Sequence, residues 1–227
     1  MEYQLSFSVN KNIYLRDPEG TELGKEIVKH SIELIYKLGF EQFTFKKLAL
    51  EIGSTEATVY RYFENKHRLL LYILNWYWCY MEYLLMYRLQ NISDIKARLE
   101  IVLELLTSEL PESSGHLDYN LQLLNHIVIA ESSKVYLIKE VSEINKNEVF
   151  KAYKDLCAKI AEIIHEFNPS YQYPHSLSTT LIECIHQQQF FCINLPRLTD
   201  NLHQRISASQ FTSAFARDLL FKVLQNS

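Results

Sequence analysis

Residues 44–70 read TFKKLALEIGSTEATVYRYFENKHRLL, and this stretch decides the fold. Thr44 stands one position before an apolar run, where a hydroxyl side chain supplies the N-cap of a helix. Phe45, Leu48, Ala49 and Ile52 recur at three- and four-residue spacing and make one face of that helix. Gly53 provides the left-handed backbone that a tight turn between two helices requires. Thr55 caps the second helix. Its Val59 and Phe63 turn inward, which leaves Glu56, Ala57, Thr58, Tyr60 and Tyr62 facing outward. A short helix with small, hydroxyl-bearing outward residues fits a DNA major groove, which is about 12 Å wide. The next helix begins near Lys66, where open backbone N–H groups and an ammonium together suit a phosphate.

Working outward, residues 21–70 pack three short helices into a compact head. Ile27, Ser31, Leu34, Ile35 and Leu38 give the first of them its inner face, and Gly39 ends it. This region resembles the DNA-binding domain of the TetR family of bacterial transcriptional regulators. The resemblance is carried by Leu38-Gly39-Phe40, Thr44, Leu48-Ala49, Gly53, the run from Thr58 through Val59, Tyr60, Arg61 and Tyr62 to Phe63, Lys66 and Leu69-Leu70. It implies a homodimer that binds a near-palindromic operator in double-stranded DNA, with a C-terminal part that receives a small-molecule effector. It further implies that Thr44 and Lys46 touch phosphate and that Thr55, Glu56, Ala57 and Thr58 form the recognition surface. Tyr60, Tyr62 and Lys66 would hold phosphates. Two positions depart from the family pattern. Ser54 follows Gly53 where a small apolar residue is usual, and Glu56 replaces an often basic or neutral residue and would be repelled by phosphates, although it can accept a bond from a cytosine amino group.

The chain has 227 residues and a net charge of −4, so a bulk electrostatic coat for nucleic acid is excluded while a local contact surface is not. The head carries eight Lys or Arg against seven Asp or Glu, a slight excess of the right sign. With so few phosphate contacts per subunit, useful affinity needs two heads. Only five glycines and five prolines occur, too few for the turns of sandwiches or Gly-rich nucleotide folds. The expected architecture is all-α: a three-helix helix-turn-helix head followed by a C-terminal helical bundle, about nine helices in total. They are expected at 22–38, 45–52, 55–62, 66–90, 93–109, 117–130, 134–167, 176–195 and 207–225. Residues 1–20 form an N-terminal extension, mobile or laid as an arm on a neighbouring surface, 21–70 the head, and 71–227 the ligand-receiving and dimerisation domain.

Residues 69–87, LLLYILNWYWCYMEYLLMY, approach the length of a membrane span. Tyrosines through the middle, rather than at two interfaces, and Glu82 inside the run argue instead for a helix buried on most sides within protein. Trp76, Tyr80, Tyr83, His126, Tyr153 and Phe190 are candidates for an aromatic, mostly apolar ligand pocket, with ordinary core packing as the alternative for each. The last two long helices are the dimer candidates, as the resemblance implies, with Leu177, Leu181, Ile185, Phe215 and Leu219 supplying apolar surface. The polar run Gln187-Gln188-Gln189 either fixes register there or faces solvent.

No nucleophile elbow, P-loop, zinc-protease or dinucleotide fingerprint occurs, and the eight histidines show no paired ligand spacing. No enzyme activity, cofactor or metal is expected. Four cysteines without a CxxC pair, and a start lacking a basic-then-apolar leader, point to a cytoplasmic protein with reduced thiols. Two other readings are compatible with the residues. One is a structural, nucleoid-type DNA-binding protein with no inducer; the other is a helical interaction or membrane-surface protein built on the aromatic helix.

Overall fold

The computed structural model describes residues 7–112, 118–137, 139, 141–146, 148–204 and 206–225. Twelve α-helices occur among them: α1 Glu22–Leu38, α2 Phe45–Glu51, α3 Glu56–Tyr60, α4 Lys66–Arg88, α5 Ile95–Thr107, α6 Leu121–Glu131, α7 Ser133–Tyr136, α8 Val141–Asn145, α9 Lys151–Phe167, α10 Pro174–Asn194, α11 Asn201–Gln204 and α12 Ala208–Gln225. The single helix expected over 134–167 is three pieces. Leu137 leaves helical geometry, and Glu148 takes a left-handed φ of 53° within a series of turns, so the long apolar face begins only at α9. Added to the expected nine are also α7, α8 and the short α11.

The chain forms two compact units, one of Met1–Tyr80 with Leu110–Ala152 and one of Met81–Glu109 with Tyr153–Ser227. In the first unit each head helix starts on a threonine. Thr21, Thr44 and Thr55 accept the N–H groups of Gly24, Lys47 and Thr58, each cap contributing about 1 kcal/mol. Gly53 takes a φ of 61° in the turn between α2 and α3, as expected of it. Gly24 is glycine for a different reason: a Cβ there would lie 2.7 Å from Pro18 Cα. Residues 7–20 of the extension are therefore an arm seated on the head. Its Val9, Ile13 and Pro18 are buried, and a 3-10 turn covers Lys11–Ile13.

Helix α4 explains why a nearly all-apolar run needs so many tyrosines. Leu69–Leu74 and Trp76–Trp78 are buried on every side, so each polar tip must find a partner inside protein. Tyr72 donates to Glu19 Oε1, Tyr77 to Asn125 Oδ1, Trp78 Nε1 to the Tyr136 hydroxyl, and Asn75 Nδ2 to the Leu71 carbonyl. Among the described residues no helix is long and apolar enough to cross a membrane.

In the second unit α12 packs on α10 and α5. Leu177, Leu181 and Ile185, expected at a subunit seam, are buried within the unit, because this is the face α10 turns to its neighbours. Gln189 is also buried, and its Nε2 donates to the Thr107 carbonyl, which Ser209 Oγ shares. Arg98 pairs with Glu166 and Arg217 with Glu100. The thiol of Cys157 is buried and pushed up to about 11, out of the range of easy oxidation.

His186 lies in the same core, where burial drives its imidazole down to about 4. The unfolded chain, with an imidazole near 6.5, takes up the proton first as pH falls. Stability from this group is therefore complete above about pH 6.5 and is lost between there and pH 4, by up to about 3 kcal/mol. Denaturant titrations at pH 7.5 and 4.5 check this. The stability difference between wild type and His186→Gln is expected to narrow as pH falls.

Candidate nucleic-acid interface

The helix-turn-helix presents one continuous outer face. Thr44, Lys46, Thr55, Glu56 and Ala57 are exposed, and Thr58 is half-buried. Thr55 Oγ1 and Thr58 Oγ1 lie 3.0 Å apart, so the two hydroxyls that open α3 hold one another in place. Tyr60 is 48% exposed, with its ring set edge-on against Phe45 at 5.0 Å. Beneath this face Phe45, Leu48, Ala49, Val59 and Phe63 are buried. Phe45, Leu48 and Ala49 of the apolar face expected for α2, and the inward turn of Val59 and Phe63, are as the spacing predicts, while Ile52 caps the end of α2 and is half-buried.

Two residues of the expected face are turned to other work. Tyr62 is only 1% exposed. Helix α3 stops at Tyr60, and the chain turns tightly so that the Tyr62 N–H reaches the Val59 carbonyl. That turn rotates the Tyr62 ring inward, where its hydroxyl is hydrogen-bonded to Thr21 Oγ1 at 2.8 Å. Lys66 is half-buried over the Phe40 ring, 4.7 Å from its centroid. Its Nζ donates to the carbonyls of Phe40, Glu41 and Phe43 at 3.0, 3.1 and 3.4 Å. The ammonium thus fixes the α1–α2 turn, and its donors are committed before any phosphate arrives. Lys66→Met is expected to lower stability by about 1–2 kcal/mol, since bonds to a charged group are lost. Chemical denaturation measures this; an unchanged midpoint would contradict the bracing role.

A second brace joins this turn to later helices of the same unit. Glu131 Oε1 accepts the Phe40 N–H at 3.1 Å, and Lys134 Nζ lies 2.8 Å from both Glu41 and Glu131 carboxylate oxygens. Helix α6 also packs on α1. Nothing in the spacing of the chain connects residues 40 and 131, so this contact is invisible to sequence reading.

The six aromatic pocket candidates are divided between the two units. In the first unit Trp76 and Tyr80 are buried and stacked at 5.9 Å, and His126 lies against Tyr36. In the second unit Tyr83 stacks on Tyr87, the Tyr153 hydroxyl donates to Glu183 at 2.7 Å, and Phe190 is half-buried beside Phe191. The second unit also has an open groove of about 860 Å³ lined by Lys96, Glu100, Thr107, Ser209 and Arg217 among others, and none of the six candidates lines it. Among the described residues no cluster of His, Cys, Asp and Glu could hold a metal ion.

Residues 27–73 match the family model described as bacterial regulatory proteins, tetR family. No curated protein matches the chain. Among solved structures, the fold is similar to that of AibR in complex with isovaleryl coenzyme A and operator DNA, at 15% identity, 85% of this chain, 96% of that one and a TM-score of 0.57. It is also similar to that of the fatty acid degradation regulator FadR from Bacillus halodurans, at 15% identity, 86% and 93% coverage and a TM-score of 0.59. The superantigen PfiT shares the fold as well, at 14% identity, 93% and 100% coverage and 0.60. Architecture alone therefore does not carry function, and the helix-turn-helix does. Residues 27–73 thus form a helix-turn-helix head of the kind found in bacterial regulatory proteins of the tetR family, carried on an all-helical frame.

Proposed function

We propose that the protein is a cytoplasmic, dimeric repressor that binds a near-palindromic operator and is released by a small ligand. One observation carries the DNA contact: a threonine-capped α3 offers Glu56, Ala57 and Thr58 outward on a buried three-helix support. In this reading Thr55, Glu56, Ala57 and Thr58 meet base edges, while Thr44, Lys46 and Tyr60 meet phosphates on the groove walls. Tyr62 and Lys66 brace that surface from within.

Two copies pair through the outward sides of α10 and α12, where Phe191 is half-buried, Ile193 is 62% exposed and Phe215 is 37% exposed. A ligand that favours another arrangement of the dimer draws the two reading helices off the spacing of about 34–36 Å that successive half-sites impose. Reversing a 1:99 equilibrium takes a differential affinity of about 5.5 kcal/mol. Within the first unit, Glu131 and Lys134 tie the α1–α2 turn to α6 and α7, giving a shift of α6 a direct hold on the head. Acyl-coenzyme A thioesters are the first ligand class to try, because AibR was solved with one.

Selection of bound duplexes from a random pool tests the reading. The expected product is a two-fold symmetric motif with half-sites about 10 base pairs apart or a multiple of that. Failure to enrich any motif at low salt would overturn the function. A symmetric motif whose complex ignores every thioester would retain the DNA contact and reject the ligand class.

A further inference from the structure

We infer that the N-terminal arm adds a guanidinium, Arg16, to the DNA-contacting face, where it binds backbone phosphate beside the end of the reading helix. The inference rests on the DNA-binding reading above and extends it beyond the helix-turn-helix. Tyr62 follows α3 by two positions, and the arm together with the α1 cap holds it at three points. The Leu15 N–H donates to the Tyr62 carbonyl at 2.8 Å, the Arg16 Cζ lies 5.2 Å from the Tyr62 ring centroid, and Thr21 engages the hydroxyl. The contact that Tyr62 was expected to offer DNA is thus covered, and the group covering it is an exposed cation.

Its chemistry suits a phosphate. A guanidinium lying on a ring spends its face, while its N–H donors stay open for a bidentate oxygen pair. No carboxylate among the described residues forms an ion pair with Arg16. Asp17, next in sequence, accepts the Glu19 N–H at 3.0 Å, and its charge bears on the Tyr14 phenol.

The arm is also rigid on both sides of Arg16, so little ordering remains to be done on binding. Ile13 is buried before it, and Pro18 lies hard against Gly24 after it. Glu19 Oε1 accepts the hydroxyls of Tyr72 at 3.1 Å and Tyr119 at 2.7 Å. Burial, and then the charge nearby, raises both phenols, so both remain donors. Phosphates line both walls of a groove occupied by a helix, and a cation at the helix's end meets one of them.

The test is the salt dependence of binding to a duplex taken from the selection above. For B-DNA the slope of log affinity against log salt is about −0.9 per neutralised phosphate, so losing Arg16 from both protomers removes nearly two. Arg16→Ala is expected to show that flatter slope and an affinity about ten- to a hundredfold lower at low salt. Arg16→Lys is expected to keep most of the slope. Partial unfolding would lower affinity equally at every salt concentration and leave the slope alone, so a folding defect cannot imitate the result. An Arg16→Ala slope equal to that of wild type overturns this assignment while leaving the DNA-binding reading intact. A wild-type chain that retains no duplex overturns both.

Discussion

Trp76→Ala is expected to lower the stability of the protein by about 3–5 kcal/mol, the range for removing a large aromatic from a core. The side chain is 2% exposed on α4 and stacks on Tyr80. It meets the edges of Phe7 at 5.2 Å and Tyr119 at 5.0 Å. Three segments distant in sequence thus share one ring: the arm, α4, and the residue just before α6. Neighbours of that size cannot collapse into the space without leaving their own contacts, which puts the cost at the upper end for a core truncation. Trp78 becomes the sole tryptophan of the variant, and its emission reports unfolding directly. A large drop in denaturant midpoint identifies Trp76 as core. A near-normal midpoint combined with loss of a ligand-induced thermal shift would instead make it a pocket wall, and the packing account would be wrong.

The head was legible where helical phase runs unbroken. Thr44 and Thr55 stand where caps belong, and the structure has them accepting the N–H groups of Lys47 and Thr58. The starts of α1 at Glu22 and of α4 at Lys66 also lie where they are expected. Tyr62 was misread because the 3.6-residue phase was carried past Tyr60, where α3 has already ended. Lys66 could not be read from sequence, because a lysine at a helix start gives no sign of carbonyls exposed by a turn more than twenty residues earlier. The piece from 134 to 150 failed for a related reason. Its polar run KEVSEINKNE lacks the apolar stripe that would hold a helix against a core, and tertiary context breaks it. In α10 the periodicity marked an apolar face correctly but not its partner, since a face that meets α5 and α12 has the same spacing as one that meets a second copy.

Ala57→Glu separates reading DNA from folding. Ala57 is exposed and occupies the second position of α3, after the Thr55 cap and Glu56. An added carboxylate in a first helical turn faces the positive end of the helix dipole, so thermal stability is expected to hold or rise slightly, by about 0.3–1 kcal/mol. In a major groove the same carboxylate meets base edges rich in acceptors, between two rows of phosphates. Each half-site is expected to lose about 1–3 kcal/mol, comparable to a mismatched contact. A dimer carries the substitution twice, so the combined loss is about thirty- to twenty-thousandfold in affinity. Tyr60→Ala should behave differently, weakening all duplexes alike, because a phosphate contact carries no base information. Electrophoretic retardation on the selected duplex and a thermal melt, run on one preparation, give both readings. A folded Ala57→Glu protein that still binds with wild-type affinity would mean that α3 never enters the groove. The small size of Ala57 would then be an accident of the surface, and the duplex would have to be held by another face of the protein.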